Sequence, residues 1–216
     1  MHASSPMIDR FFQSGVMAII RIDSAEAVIP TVESLAKGGI EFIEISLVTP
    51  HAVEYIARVH DELRDSVLIG AGTVLDAESA RAAILAGADF IVSPTTRVET
   101  IVTARRYGKP VFSGGYSPTE CLLAWESGAD AVKVFPAMPA GPEYVKAIHA
   151  PLPQIPLVAV GGITLENIPA FFKAGVRGVA VASALASPKL IAEGKFSEIT
   201  AASARWMETV RQARGS

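Results

Sequence analysis

Ala86-Gly-Ala-Asp-Phe-Ile-Val-Ser93 and Ser127-Gly-Ala-Asp-Ala-Val-Lys-Val134 are two settings of one phrase. A helix-like stretch ends on a glycine, and a short apolar run begins within three residues. Glycine there supplies the left-handed turn that stops a helix. The punctuation recurs at Lys37-Gly38-Gly39, Tyr107-Gly108-Lys109 and Ala174-Gly175-Val176. The apolar runs read Val16–Ile22, Phe42–Val48, Val67–Val74, Phe90–Val92, Val111–Ser113, Ala131–Phe135, Leu157–Val160 and Gly178–Ala182. They are nearly continuous and do not alternate, as expected of parallel strands covered on both faces. Helix-like stretches open between them at Ser24, Thr49-Pro-His51, Asp76, Arg97, Ser117-Pro118, Gly141-Pro142 and Thr164, and a last one spans Phe196–Arg211. Ser, Asp and an early Pro are start signals. Eight strands alternating with eight helices predict an α/β fold, a (β/α)8 TIM barrel in a single domain over residues 1–216. Residues 1–14 form a leader, with a helix at Ile8–Ser14 closing the barrel bottom. A doubly wound open sheet shares the local pattern, but no GxGxxG follows the first run.

Composition narrows the function. Of 216 residues, 50% are hydrophobic and 19% charged, which excludes a disordered chain. Cys121 is the only cysteine, so there is no disulfide framework. Lys and Arg total 19 against 22 Asp and Glu, and no long basic run exists, which argues against a nucleic-acid partner. Mean hydropathy is +0.37, yet no apolar run approaches the ~18 residues of a membrane span. Met1–Arg10 carries neither a basic n-region nor an apolar h-region, so the expectation is a soluble cytoplasmic protein that engages no membrane. The four histidines form no HxH or HExxH pattern; His2 is in the tail and His51 and His60 share one helix, so a metal is not expected.

In such a barrel the chemistry sits at the C-terminal ends of the strands. Polar residues interrupt the apolar runs there. Lys133 lies inside strand six, between Val132 and Val134. An ammonium in apolar surroundings is costly and is relieved by a lowered pKa. Such a lysine is partly neutral near pH 7 and can attack a carbonyl to form a Schiff base. The plainer reading is a lysine that snorkels or pairs with an acid. Glu44, in Phe42-Ile-Glu-Ile45, also needs a partner. Strands two and six face each other across a small barrel, so Glu44 and Lys133 can meet in the lumen, as a structural ion pair or as a nucleophile with its general acid/base. Gly161-Gly162 after strand seven and Ser183 after strand eight suit a phosphate cradle, or are tight turns. Arg21 ends strand one and can clamp an anion, or is solvated. Thr73 can donate to a substrate oxygen, or caps a helix.

These residues carry a family resemblance. Phe42-Ile-Glu-Ile-Ser-Leu47, Gly70-Ala-Gly-Thr-Val-Leu75, Ile91-Val-Ser-Pro94, Val132-Lys-Val-Phe-Pro136 and Val160-Gly-Gly-Ile-Thr164 occur in order. Over Gly15 to Ala186 the chain resembles the class I 2-keto-3-deoxy-6-phosphogluconate (KDPG) and 4-hydroxy-2-oxoglutarate (KHG) aldolases. The resemblance implies a (β/α)8 barrel, a homotrimer, no cofactor and no metal. It implies Lys133 as the Schiff-base lysine, Glu44 as general acid/base, Thr73 on the pyruvate moiety, Phe135 as a pocket wall, and Gly161, Gly162 and Ser183 on the distal phosphate. Many gluconate-type members read E-x-T-x-R, with the arginine on the pyruvate carboxylate; here Val48 stands at that position. The 2-dehydro-3-deoxy-6-phosphogalactonate branch is similar to this chain in Arg21, Thr49-Pro50 and Gly141-Pro-Glu-Tyr-Val-Lys146, and implies that Arg21 takes over the carboxylate. The expected substrate is a phosphorylated keto acid, a 2-keto-3-deoxy-6-phospho sugar acid of gluconate or galactonate type, cleaved to pyruvate and glyceraldehyde 3-phosphate. Two alternatives share the barrel: a phosphosugar isomerase or epimerase, which needs no lysine nucleophile, and a non-catalytic phosphometabolite-binding barrel, in which Glu44 and Lys133 pair structurally.

Overall fold

Eight parallel strands pair in chain order, and the last returns to the first, closing a barrel. A computed structural model describes residues 5–138 and 140–215. Residues 1–4 of the expected leader, His2 among them, lie outside the described residues. The strands are β1 Val16–Ile20, β2 Phe42–Ser46, β3 Leu68–Gly72, β4 Phe90–Val92, β5 Val111–Gly115, β6 Ala131–Val134, β7 Leu157–Val160 and β8 Gly178–Val181. The helices are α1 Pro6–Ser14, α2 Ala25–Lys37, α3 Ala52–Leu63, α4 Ala77–Leu85, α5 Val98–Arg106, α6 Pro118–Glu126, α7 Gly141–His149, α8 Ile168–Lys173, α9 Pro188–Ala192 and α10 Phe196–Gly215. Each of the eight expected strands is present, so the barrel reading holds and the open sheet does not.

The differences are local. A short helix, α9, stands between β8 and α10 where none was expected. The helix expected from Thr164 begins only at Ile168, because Asn167 accepts the Thr164 N–H through Oδ1 at 2.9 Å and makes a turn of the intervening residues. Two start signals act as read. Asp76 accepts the Ser79 N–H at 2.6 Å, and Ser117 with Glu120 forms a reciprocal capping box. Among the described residues no helix is long and apolar enough to cross a membrane.

Side chains alternate between two apolar regions. Val16, Ala18 and Ile20 of β1, with Ile43 and Ile45 of β2, face the helices, whereas Met17, Ile19 and Phe42 face the lumen. The register shows how the lumen is stacked. Glu44 pairs laterally with Gly70, Ile91 with Val111, Gly114 with Lys133, and Lys133 with Val158. Barrel tilt advances each alternate strand by about two residues, so alternate strands share a layer. The lowest layer is Phe42, Phe90, Ala131 and Gly178. Above it come Met17, Gly70, Phe112 and Val158, then Glu44, Val92, Lys133 and Ala180, then Ile19, Gly72, Gly114 and Val160.

The lower half is closed by aromatic rings. α1 inserts Phe11, whose ring lies 5.2 Å from Phe42 and 4.8 Å from Phe112, both edge-on. Phe90 lies 5.8 Å from Phe42 and 5.7 Å from Phe112. Small neighbours make the space: a Cβ on Gly70 would fall 2.2 Å from the Phe90 ring, and one on Gly178 2.8 Å from Phe11. Arg214 of α10 latches the plug by donating to the Phe12 and Gln13 carbonyls at the end of α1.

Outside the barrel one packing device appears twice. The His60 ring of α3 covers Gly87 at the end of α4, and the His149 ring of α7 covers Gly175 at the end of α8. Both glycines have positive φ, +102° and +100°. A Cβ at either would lie about 2.5 Å from a ring atom, and would also be strained at that φ.

Phe11→Ala empties the meeting point of the lower layers. It is expected to lower unfolding free energy by about 3–5 kcal/mol, read as a fall in the urea midpoint at unchanged m-value.

Candidate active site

Glu44 and Lys133 occupy one layer on opposite strands of the barrel, with only Val92 and Ala180 beside them. Both are almost fully buried, Glu44 at 1% and Lys133 at 5% exposure. The layer above carries Gly72 and Gly114, which differ in what fills the space of the missing side chain. A Cβ at Gly72 would fall 2.4 Å from Glu44 Oε1. Gly114, beside Lys133, lets the chain at Pro94–Thr95 pass within 2.2 Å of where its Cβ would be. Gly72 therefore leaves the space that the Glu44 carboxyl occupies.

The two groups are close enough to feel each other but do not pair. Glu44 Oε2 is buried without a hydrogen-bond partner, and among the described residues no ion pair within 4.0 Å joins it to Lys133. A structural salt bridge in the barrel core is thus not formed. Burial pushes the Glu44 carboxyl above the usual carboxylate range, against the opposing pull of Lys133 and then Arg21. A carboxyl raised in this way holds a proton more readily than an exposed one. Lys133 Nζ lies 5.3 Å from the centre of the Phe135 ring, whose face favours a cation.

A cavity of about 470 Å³ opens above this layer. Arg21, Glu44, Thr73, Lys133, Phe135, Gly161, Gly162 and Ser183 all line it. The residues singled out in the sequence are therefore brought together. Val48, at the position of the missing arginine, also lines the cavity and is 63% exposed. Arg21 lies just past β1 rather than at its last residue, and Ser183 two residues past β8 in a turn. Phe135 follows β6, half exposed beside Lys133. Thr73 does not cap α4, since Asp76 does. Its backbone has φ +57°, uncommon for a β-branched residue, and Thr73 Oγ1 is 2.7 Å from Ser46 Oγ.

The glycine pair after β7 makes a tight turn at the cavity wall. Gly161 and Gly162 have φ +92° and +76°. The Gly161 Cβ position is 3.3 Å from the Phe135 ring and that of Gly162 2.6 Å from Met138. The turn's carbonyls are tied back into the protein: Val160 O accepts from Ala137 N, Gly161 O from Met138 N, and Gly162 O from Asn167 Nδ2. After β8, Ala182 O accepts both Leu185 N and Ala186 N. Carbonyl dipoles that would repel an anion are occupied, and the loops can present N–H groups. Asn167 and Ser46 are the supporting residues to which the sequence reading gave no role. An Asx side chain three residues after Thr164 was a readable signal for the first; for the second, only contact with the neighbouring strand end reveals it. Among the described residues no group of three His, Cys, Asp or Glu side chains is placed to hold a metal ion.

Comparison with known proteins agrees with this geometry. Residues 7–202 match the family model described as KDPG and KHG aldolase. A 2-dehydro-3-deoxy-6-phosphogalactonate aldolase of Escherichia coli (strain K12) is 37% identical over 171 residues, 79% of this chain and 83% of that protein. A 2-dehydro-3-deoxy-phosphogluconate aldolase of Treponema pallidum is 36% identical over 197 residues, 90% of this chain and 93% of that protein. The structure of a KDPG aldolase from Legionella pneumophila, with pyruvate captured as a covalent carbinolamine intermediate, superposes with a TM-score of 0.84 at 29% identity, covering 93% of this chain and 97% of that one.

Glu44 makes stability depend on pH in a stated direction. Its pKa is higher folded than unfolded, so between those values the folded state binds more protons. Its contribution to stability is full below the ordinary carboxylate pKa and is lost as pH rises through the raised one. Glu44→Gln is expected to remove that decline, so that its stability advantage over the unaltered protein is larger at pH 8 than at pH 5. Urea unfolding of both proteins at pH 5 and pH 8 checks this.

Proposed function

The chain belongs to the KDPG and KHG aldolase family, whose members are carbon–carbon lyases, and on that premise we propose that Lys133 is its Schiff-base nucleophile and Glu44 its proton carrier. One observation carries the assignment: an amine and a carboxyl share a buried layer, make no ion pair, and line one cavity. The proposed substrate is a 2-keto-3-deoxy-6-phospho sugar acid of gluconate or galactonate type. The homotrimer and the cytoplasmic setting implied by the resemblance belong to the same proposal.

The steps balance with these residues alone. Neutral Lys133 Nζ attacks the C2 ketone, forming the C–N bond of a carbinolamine. Protonated Glu44, through a water, protonates the C2 hydroxyl, which leaves as water and gives the iminium. Glu44, now a carboxylate, accepts the C4 hydroxyl proton. The C3–C4 electrons move to the iminium nitrogen, glyceraldehyde 3-phosphate departs, and an enamine remains. Glu44 returns its proton to C3; as a carboxylate it then takes a proton from the water that adds to C2, so that collapse of the carbinolamine frees pyruvate and the Lys133 amine and leaves Glu44 protonated. The raised Glu44 pKa matters at the first transfer and at the transfer to C3, where the group must arrive protonated.

The remaining residues hold the two anionic ends. Arg21 takes the carboxylate in place of the arginine that Val48 replaces, Thr73 donates to the pyruvate unit, and Phe135 walls it. Gly161, Gly162 and Ser183 receive the phosphate. Binding energy from that remote end positions C2 over Lys133. The isomerase and the non-catalytic barrel have no comparable support, because neither uses an unpaired amine at this depth.

Three measurements test the proposal. Borohydride with pyruvate is expected to leave a reduced pyruvyl adduct on the Lys133 peptide, and its absence there would remove the imine route. Glu44→Gln is expected to lower turnover by about 10²–10⁴ while the fold is kept. Pyruvate release from each of the two C4-epimeric phosphorylated acids is expected from at least one of them; inertness of both would overturn the substrate class.

A further inference from the structure

Ser46 has no place in the mechanism above, yet it is fully buried at the open end of β2, two residues from Glu44 on the same lumen-facing side. Its hydroxyl lies 2.7 Å from Thr73 Oγ1. Thr73 is held in a left-handed backbone conformation, φ +57°, which a β-branched residue adopts only where its surroundings over-determine it. Neighbouring backbone bonds fix the frame: Leu47 N donates to Gly72 O at 2.8 Å and Val74 N to Val92 O at 3.1 Å. The Thr73 side chain is thereby delivered to the cavity, and its hydroxyl orientation is left to Ser46.

The donor count decides the direction of this bond. A hydroxyl has one proton to give and two lone pairs. When Thr73 gives its proton to a substrate oxygen, Ser46 must be the donor in the pair between them. The buried Ser46 hydroxyl has no other hydrogen-bond partner among the described residues. The geometry points to Ser46 as a positioning residue: it donates to Thr73 Oγ1, aims the Thr73 proton at the carboxylate or carbonyl of the pyruvate unit, and strengthens that bond by polarising it. This rests on the aldolase reading of the site, in which Thr73 meets the pyruvate unit. It predicts that a threonine at position 46 serves as well as serine, and that any residue without a hydroxyl does not.

The test is a double-mutant cycle on the full chain, after borohydride trapping of pyruvate on Lys133 has been checked in the unaltered protein. Ser46→Ala is expected to lower kcat/KM for the cleaved phosphorylated acid by about 10–100-fold, and Ser46→Thr to stay within about threefold of the unaltered protein. In a Thr73→Val background, Ser46→Ala is expected to change kcat/KM by less than about twofold, because the hydroxyl it aims is gone. Urea midpoints, with the Ser46→Thr protein as a second variant, confirm that the proteins are folded. Effects of Ser46→Ala and Thr73→Val that multiply, or a Ser46→Thr protein no better than Ser46→Ala, would overturn the role of Ser46 while trapping still stands. Failure of trapping in the unaltered protein would overturn the site itself, and with it this role.

Discussion

An acid and an amine are kept within electrostatic reach of each other, away from water, and prevented from joining. Every other feature of the barrel serves that constraint. Aromatic rings fill the two layers beneath, so neither side chain can sink. Val92 and Ala180 stand beside the pair within its own layer, Gly72 makes room for the Glu44 carboxyl, and both groups line the cavity above. A contact ion pair would be the comfortable arrangement for two buried charges, and its absence keeps the Glu44 carboxyl protonated more readily than an exposed one. The molecule thus carries an energetic burden at its centre, offset by the apolar packing of the helices against the barrel.

Small residues set the shape of the lumen as much as large ones. Gly70 admits Phe90, Gly178 admits Phe11, and Gly72 admits the Glu44 carboxyl. The glycines after β7 do a different job, opening a turn whose carbonyls face back into the protein. These positions read identically in the sequence as breaks in apolar runs. Their separate purposes appear only when the neighbour that fills each missing side chain is known.

Much of the fold was legible because strands and helix stops are local events. Continuous apolar runs marked the eight strands to within a few residues, and glycines such as Gly87, Gly128 and Gly175 marked helix ends by the left-handed turn they allow. The site was partly legible for the same reason: a charge inside an apolar strand, as at Lys133 and Glu44, is conspicuous without any tertiary information. What local pattern could not tell was which polar residues are joined across the barrel. Ser46 and Thr73 lie on adjacent strands but far apart in the chain, and their hydrogen bond follows from sheet register alone. The late start of α8 had a local signal in Asn167, whose side chain competes with the helix for the Thr164 N–H. The choice between an ion pair and a separated acid and amine needed the layer geometry.

The twin clasp of His60 on Gly87 and His149 on Gly175 reaches beyond packing. The step along the chain from His60 to His149 is the same as that from Glu44 to Lys133, from Glu54-Tyr55 to Glu143-Tyr144, and from Gly72 to Gly161. Half the ring is a rotated likeness of the other half. Glu44 and Lys133 hold one address in a module written twice, which by itself gives them equal height and opposite bearing on the central axis.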